Sequence, residues 1–391
     1  MTEPDRTEPG RTEPGKTEPG SAGAPVWGVG PVLEKFDDVS RIAVLRGGGL
    51  GDLFFALPAV ASLRAAYPAA SVTMLGTPVH QDLVGSTLGP AHDVRVLPFA
   101  EGVRPGPEDP AALEAFFAGM EREELDLAVQ LHGGGRFSNP FLLRLGARHT
   151  VGARTPDAAH LERNLPYAYY QHEALRALEV AGLAGAPPVG LEARLRPLGR
   201  YVAGVDELLG GGSAVVAIHP GATDPRRRWP AQSFGELAAA CAADGARVLV
   251  VGTRAEKELA EAVIAAASPA PVTSLAGELE LGALAALLAR VSVLVGNDSG
   301  PRHLAQALGT PTVGLYWAGN VINAGPLGRS LHRVHLSWLT QCPECGADIT
   351  QVGWTAVRCP HEFPLLAGIP VEDVYQDVRL FTAMSPRLPG R

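Results

Sequence analysis

Apolar residues along this chain occur in short runs that alternate with longer segments of helical periodicity. Buried strands are predicted at 41–45, 71–75, 94–97 and 125–131, and again at 214–219, 247–251, 291–296 and 312–316. Helical patterns lie between them, at 53–67 and 111–124 and then at 234–244, 255–267, 281–290 and 301–308. Because strand and helix alternate, each half of the chain predicts a parallel sheet covered by helices on both faces.

Two such halves predict an α/β protein with two Rossmann-like, doubly wound domains that face each other across a cleft. Residues 1–38 are predicted to be a disordered low-complexity tail, since Thr-Glu-Pro recurs four times within residues 2–19. The first domain is expected at 39–195, an irregular linker ending in a glycine run at 196–213, and the second domain at 214–391. Ligands of such folds bind at the carboxyl ends of the strands, so the cleft is the expected site.

Composition narrows the class of protein. The 391 residues include 33 Lys+Arg and 41 Asp+Glu, a net charge of −8, which argues against a general binder of nucleic acid or anionic membranes. A local basic pocket for a phosphorylated molecule remains compatible with it. The N-terminus has no apolar signal core, and no apolar stretch is long enough to span a bilayer, so a cytoplasmic protein is expected.

A glycine-rich turn follows the first predicted strand. Residues 46–52 read Arg-Gly-Gly-Gly-Leu-Gly-Asp and lead into a helix. Such a turn lets the backbone approach a ligand and exposes the first amides of the helix. The spacing matches neither the dinucleotide-binding nor the Walker A pattern. Asp52, near the helix start, fits a helix cap and a catalytic carboxylate equally well.

Two further turns follow predicted strands in the second half. The first, at 219–230, carries three consecutive arginines before Trp-Pro, and arginine binds phosphate through a fixed fork of donors. An exposed basic loop is the alternative, but its position after a strand favours phosphate. The second, at 296–304, offers Asp298, Ser299 and a nearby His303 together with free helix amides, a set suited to a diphosphate.

Together these segments resemble glycosyltransferase family 9, the ADP-heptose:lipopolysaccharide heptosyltransferases. The resemblance lies in RIAVLRGGGLGDLFFALPAVASLRAAYP, AIHPGATDPRRRWPAQSFGELA and LVGNDSGPRHLAQALGTPTVGLY, and it extends over residues 39–380. It implies a GT-B fold with the acceptor mainly on the first domain and the donor mainly on the second. It also implies a C-terminal segment that returns toward the first domain. The implied activity is inverting transfer of a heptose or similar sugar from a nucleotide-diphosphate donor, most simply ADP-linked, with no cofactor and no catalytic metal.

The resemblance also implies roles for individual residues. Asp52 falls on the general base, and Arg227 on a basic residue that heptosyltransferases commonly have as lysine. The implied donor-binding residues are Gly51, Thr223, Arg227, Glu256, Asp298, Ser299, Gly300 and His303. A helix N-terminus would lower the pKa of Asp52 and burial would raise it, and the sequence does not decide between them.

The polar, glycine-rich segment 130–139 departs from the usual family pattern. His132, Arg136 and Asn139 are candidate acceptor-binding residues there, although a plain loop with a buried histidine explains each of them as well. This departure leaves open an acceptor other than a lipopolysaccharide core and a sugar other than heptose. The expected acceptor is a glycan or glycolipid, and a lipid-linked one would bring the protein to the inner face of the membrane. Two alternatives stay open: a nucleotide-sugar epimerase on the same fold and a non-catalytic nucleotide-sugar-binding protein. Asp52 argues against the second, because binding needs no base.

One cluster near the C-terminus has metal-ligand residue types. Cys342 and Cys345 form C-x2-C, and after thirteen residues Cys359 and His361 form C-x-H. This spacing is compatible with a tetrahedral zinc site. A second C-x-x-C is missing, so reduced thiols in a loop are favoured, and no metal is predicted.

Overall fold

Two parallel sheets, one in each half of the chain, organise the protein. The computed structural model describes residues 28–210, 212–350 and 357–384. The first half contains, in chain order, β1 (Arg41–Leu45), α1 (Leu50–Ala66), β2 (Ser71–Gly76), α2 (Pro78–Val84), β3 (Thr87–Leu88), β4 (Asp93–Val96), α3 (Pro110–Glu121), β5 (Leu127–Gln130), α4 (Ser138–Leu143), β6 (His149–Arg154), β7 (Arg163–Pro166) and α5 (Glu173–Leu183).

The second half begins with a short strand and helix that lead from the first domain into the second. It contains β8 (Arg196–Pro197), α6 (Gly199–Leu209), β9 (Val215–His219), α7 (Ala231–Ala243), β10 (Arg247–Val250), α8 (Lys257–Ala267), β11 (Val272–Ser274), α9 (Leu281–Leu288), β12 (Val293–Asn297), α10 (Gly300–Ala307), β13 (Thr312–Trp317), α11 (Ala318–Ala324), β14 (His332–Ser337) and α12 (Val371–Met384).

Both sheets have the same strand order and both are wholly parallel. The first runs β4-β2-β1-β5-β6-β7 and the second β11-β10-β9-β12-β13-β14. In the first sheet Ala43 of β1 pairs with Thr73 on one side and with Ala128 on the other. In each sheet the early strands are added on one side of the first strand, β1 or β9, and the later strands on its other side. Such folds bind ligands at this switch in strand order. The predicted doubly wound α/β fold is therefore confirmed.

The central strands form because their residues are apolar on both faces. All five residues of β9 are buried, and so are all five of β12, as expected for parallel strands covered by helices on each side. Strands β6, β7, β11 and β14 were not predicted. The edge strands β7 and β11 are short and only partly buried, so neither carries an apolar run that a sequence pattern can detect.

The two domains share one apolar core. Buried residues of α1 and the first sheet belong to the same cluster as buried residues of α9, α10 and one face of the second sheet. A second cluster covers the other face of the second sheet beneath α7, α8 and α12. Helices α1 and α10 therefore pack against each other, and each brings its N-terminus to the domain boundary.

Three expectations about the chain ends and linker need correction. The segment 196–213 is not irregular: β8 pairs with β3, and α6 buries Val205 and Leu209. Residues 28–38 of the predicted tail lie on the first domain, where Phe36 stacks on His149 at 4.1 Å between ring centroids. The remainder of that tail, residues 1–27, lies outside the described residues.

The last helix does not return toward the first domain. Helix α12 packs on α7 and on the second sheet, with three of its side chains buried in the second domain's core: Val374, Val378 and Phe381. The apolar side chains of α12 recur at helical intervals and are buried against the second domain. Among the described residues no helix combines the length and apolar character needed to cross a membrane.

Candidate active site

The N-termini of α1 and α10 meet where the two domains touch. The Leu50 side chain lies against Gly300, so that a Cβ added to that glycine would come within 3.0 Å of Leu50. A Cβ added to Gly51 would come within 3.4 Å of the His303 ring, and the rings of Phe55 and His303 are 4.8 Å apart. Two predicted motifs, far apart in sequence, thus form one site.

Asp52 occupies the third position of α1 and has two partners. Its Oδ2 accepts a hydrogen bond from the Gly49 amide at 2.8 Å, and its Oδ1 lies 2.6 Å from the Arg46 guanidinium. Gly48, with φ +92°, passes so close that an added Cβ would collide with the carboxylate. The cap and the candidate base are therefore the same side chain, which remains 43% exposed.

Arg46 is the main group that lowers the pKa of Asp52. Burial disfavours the charged carboxylate, but the Arg46 charge and the Gly49 amide outweigh it, and the pKa of Asp52 lies below its ordinary value of 3.8. Asp52 is therefore ionised at neutral pH and can accept a proton. The sequence left this question open because it gave Arg46 no role.

Arg46 belongs to a buried network that sequence reasoning missed. Its Nη1 donates to the Leu131 carbonyl at 2.5 Å and lies 3.3 Å from Glu173, which also pairs with Arg176. Arg46 directly follows β1, and Glu173 begins α5, more than 120 residues later. Nothing local in the sequence marks this pairing, but an arginine placed after a buried strand is a signal that could have been used.

On the opposite domain, Asp298 is the centre of the loop between β12 and α10. Its Oδ1 lies 2.8 Å from His303 Nε2, and its Oδ2 contacts the Asn320 amide and lies 3.8 Å from Arg227. Burial raises the pKa of Asp298, but His303, Arg302 and Arg227 together lower it by more. The net pKa lies below the ordinary value, so the carboxyl is ionised. Asn320 was not predicted, since it lies in α11, outside the three motifs.

His303 is a neutral hydrogen-bond donor. Burial and the neighbouring Arg302 lower the pKa of His303 to about 4. Arg302 donates to His303 Nδ1 at 2.5 Å, so the remaining ring proton is on Nε2 and points to Asp298. This orientation holds the loop carboxylate in place at the start of α10.

Two arginines of the turn after β9 differ in exposure, one being buried in an ion pair and the other partly exposed. Arg226 is buried and forms a forked ion pair with Asp224 at 2.8 Å. Arg227 is 31% exposed and lies 3.8 Å from Asp298, and its implied contact with the donor stays a prediction. Thr223 is exposed on the same turn.

A cavity of about 260 Å³ opens beside this turn. Its lining includes Tyr169 from the first domain and Arg227, Trp317 and Asn320 from the second. Residues of both domains therefore contribute to one pocket next to Asp298.

Glu256 and Ser299 bind to one histidine. Ser299 Oγ lies 3.0 Å from His219 Nδ1, and Glu256 Oε2 lies 3.6 Å from His219 Nε2. Glu256 also accepts from the Thr253 amide at 2.7 Å, and these contacts lower its pKa to about 2. The ionised Glu256 thus holds the His219 turn, and its implied contact with a nucleoside ribose stays a prediction.

The three acceptor candidates lie in different environments. His132 is half-buried beside Gly47, its Nε2 donates to the Gly102 carbonyl at 3.0 Å, and burial together with Arg46 lowers its pKa to about 4. Arg136 is exposed and 3.8 Å from Asp157. Asn139 is fully buried, and its amide donates to the Ala159 carbonyl at 2.9 Å. Asn139 therefore fastens the loop internally and offers no surface to an acceptor, which corrects the expectation for that residue.

The fold and the site define a two-domain GT-B protein in which the carboxylate-bearing start of α1 meets the start of α10 of the second domain. The model of glycosyltransferase family 9 (heptosyltransferase) matches residues 117–348, more than half of the chain. The chain belongs to this family, and the predicted resemblance is confirmed.

Individual relatives agree with this assignment. Lipopolysaccharide heptosyltransferase 2 of Escherichia coli is 32% identical over 126 residues, which are 31% of this chain and 36% of that protein. The match thus spans about a third of that relative's length. The lipopolysaccharide core heptosyltransferase OpsX of Haemophilus influenzae is 22% identical over 322 residues, covering 80% of this chain and 89% of that protein. The solved structure of E. coli ADP-heptose LPS heptosyltransferase II has a TM-score of 0.66 at 18% identity, covering 88% of this chain and 99% of that one, and confirms the GT-B fold.

Proposed function

We propose that this protein is an inverting glycosyltransferase that moves a heptose or similar sugar from an ADP-linked donor to a hydroxyl of a glycan or glycolipid acceptor. One arrangement carries the proposal: ionised Asp52 lies at the start of α1, this helix start packs against the start of α10, and Arg227 lies beside Asp298 just before α10. The ADP and heptose components rest on the name of the E. coli relative whose fold this chain shares.

The second domain binds the donor in this proposal. The departing nucleotide diphosphate gains negative charge, and Arg227 together with the amides at the start of α10 would stabilise it. Arg227 suits this role because it is partly exposed beside Asp298, whereas Arg226 is consumed by its ion pair with Asp224. Arginine in place of the family's usual lysine offers a planar fork of donors that can bind two phosphate oxygens at once.

The first domain supplies the base and receives the acceptor. The acceptor oxygen forms the new bond to the anomeric carbon while the bond from that carbon to the diphosphate breaks, and the hydroxyl proton passes to Asp52. A single displacement from the face opposite the leaving group inverts the anomeric centre. Asp52 accepts two hydrogen bonds, from Arg46 and Gly49, and a carboxylate has further lone pairs with which to meet the acceptor. His132, whose ring lies beside Gly47 of the glycine turn, is the proposed contact to the same acceptor.

The donor-facing base favours a transferase over a binding protein, since binding alone needs no proton acceptor. A glycolipid acceptor would place the protein at the membrane surface during turnover. No step of this proposal uses a cofactor.

The test combines donor binding with transfer. Wild type and Asp52→Asn are compared in thermal-shift assays with ADP-, GDP-, UDP- and dTDP-sugars, including ADP-heptose. A donor at 100 times its dissociation constant should stabilise the fold by about 2.7 kcal/mol. We expect a shift with ADP-heptose in both proteins and a fall in transfer to a lipopolysaccharide-core acceptor of roughly 10²–10⁴-fold in the variant.

Asp93→Asn serves as the matched control. Asp93 begins β4, at the edge of the first sheet opposite the carboxyl ends of the strands, and its carboxylate accepts from Thr73 at 3.2 Å. The control should keep both donor binding and transfer. Unchanged turnover in Asp52→Asn would remove Asp52 from its role, and no shift with any nucleotide sugar would overturn the donor site.

A further inference from the structure

Four metal-type ligands converge between β14 and α12. Cys342 and Cys345 follow β14, and Cys359 and His361 precede α12. One ligand atom from each residue lies within 4.8 Å of all the others. We propose that this cluster binds a single structural Zn²⁺. The inference is independent of the proposed glycosyl transfer.

The spacing of the ligand atoms suits a tetrahedron. Zinc–sulfur bonds of about 2.3 Å and zinc–nitrogen bonds of about 2.0–2.1 Å place neighbouring ligand atoms roughly 3.5–3.8 Å apart. Cys342 Sγ and His361 Nδ1 are 3.5 Å apart. The other separations exceed the tetrahedral value by at most about 1 Å, which small side-chain rotations can remove.

The imidazole has a carboxylate behind it. His361 directs Nδ1 to the sulfur cluster, and its Nε2 lies 3.7 Å from Glu344 Oε2. Metal-bound histidines almost always direct their second nitrogen to a carboxylate, a carbonyl or water, which fixes the tautomer and orients the ring. Glu344 lies on the Nε2 side of His361 at ion-pair distance, and Nδ1 is directed to Cys342 Sγ.

The backbone presents the first two sulfurs in a tight turn. The Gly346 amide donates to the Cys342 carbonyl at 2.9 Å, and the Cys342 amide donates to the Ala347 carbonyl at 2.8 Å. Gly346 has φ +71°, which a residue with a side chain rarely adopts. The turn therefore positions Cys342 and Cys345 on one side, and the chain before α12 supplies the other two ligands.

Four protein ligands leave no open coordination position, which distinguishes a structural zinc from a catalytic one. The metal would join two chain segments that support the donor-side turn. Beyond the cluster, the Leu365 amide donates to the Arg226 carbonyl at 2.7 Å, and the Ile369 carbonyl accepts from the Trp229 indole at 3.1 Å. The proposed role is to hold this wall of the second domain, with no part in bond making.

Metal analysis of the purified full-length chain tests the proposal. We expect about one zinc per chain, reduced by most of its amount in Cys345→Ser and in His361→Ala. Cys241→Ser is the matched control, because Cys241 is buried in α7, is not part of the cluster, and its replacement should leave the zinc in place. Zinc-free wild type from zinc-supplemented cultures, iron in place of zinc, or unchanged zinc in both ligand variants would each overturn the proposal.

A second measurement on the wild type applies even if the variants fail to fold. The chain is stripped with a chelator under reducing conditions and reconstituted with Co²⁺. A site of three thiolates and one imidazole should give the d–d absorption of tetrahedral cobalt together with a thiolate charge-transfer band, and added Zn²⁺ should abolish both. Octahedral cobalt spectra, or a chain in which these cysteines are joined by a disulfide, would contradict the proposal.

Discussion

Replacing Arg46 with methionine tests how much the Arg46 charge lowers the pKa of Asp52. Arg46 is 7% exposed and contacts Asp52 at 2.6 Å and Glu173 at 3.3 Å. Methionine keeps much of the side chain's volume and removes its charge. Asp52 then loses the cation that compensates for its burial, while Glu173 keeps its ion pair with Arg176.

The expected cost follows from this geometry. Removing one partner of a buried ion pair destabilises a protein by about 3–5 kcal/mol. Asp52 is 43% exposed and water can solvate it, so we expect the lower end, about 3 kcal/mol. The pKa of Asp52 should rise, because burial, which disfavours its charge, remains while the Arg46 charge is gone.

Urea unfolding and the pH profile of kcat/KM measure these two effects. In the wild type the lowered pKa keeps Asp52 ionised to lower pH than an ordinary aspartate, so the acid limb due to Asp52 lies at correspondingly low pH. In Arg46→Met that limb should move to higher pH. A double-mutant cycle with Asp52→Asn should give a coupling of roughly 0.5–3 kcal/mol.

Arg41→Met is the control for the same substitution at the other end of β1. Arg41 and its partner Glu124 are exposed, and surface pairs contribute about 0–1 kcal/mol. If Arg46→Met costs no more than this control and the acid limb stays in place, the assignment of Arg46 as the group that sets the charge of Asp52 is refuted.

Three further predictions concern separate parts of the molecule. Arg226→Ala should lower the free energy of unfolding by about 3–5 kcal/mol, because Asp224 would lose its buried partner. Arg227→Ala should change the free energy of unfolding by less than about 1 kcal/mol and should weaken donor binding in titration calorimetry. The reverse pattern would exchange the roles of the two arginines. Asp126→Asn should lower the free energy of unfolding by about 1–3 kcal/mol in urea, since Ser40 loses a charged acceptor. The wild type should lose this contribution as the pH falls from 4 to about 2, the lowered pKa of Asp126. An equally steep loss of stability in acid in the variant would show that Asp126 does not cause it. Burial lowers the pKa of His332 to about 4, so as the pH drops this histidine binds a proton in the unfolded chain before it does in the folded protein. Stability should therefore fall as the pH drops from about 6.5 to 4, and His332→Asn should flatten that slope across a pH series of unfolding curves. An unchanged slope would show that other groups cause it.

The sequence was sufficient for the class of fold and for the turns that carry the chemistry. Central parallel strands are buried on both faces, so their apolar runs are visible in one dimension, and glycine-rich turns after them mark the carboxyl edge of each sheet. Edge strands β7 and β11 escaped because they are short and half-exposed. Helix α6 escaped because its glycines resemble linker composition, although Val205 and Leu209 bury one face.

Only the tertiary structure decided which side chains act together. The pairing of Arg46 with Glu173, the contact of Asp298 with Asn320, and the approach of α1 to α10 all join residues distant in the chain. Whether Asp52 is charged depends on the balance between burial and Arg46, and both are properties of the packed molecule. Residue types and local periodicity are written along the chain, whereas distance, solvent exposure and electrostatic field exist only once the chain has folded.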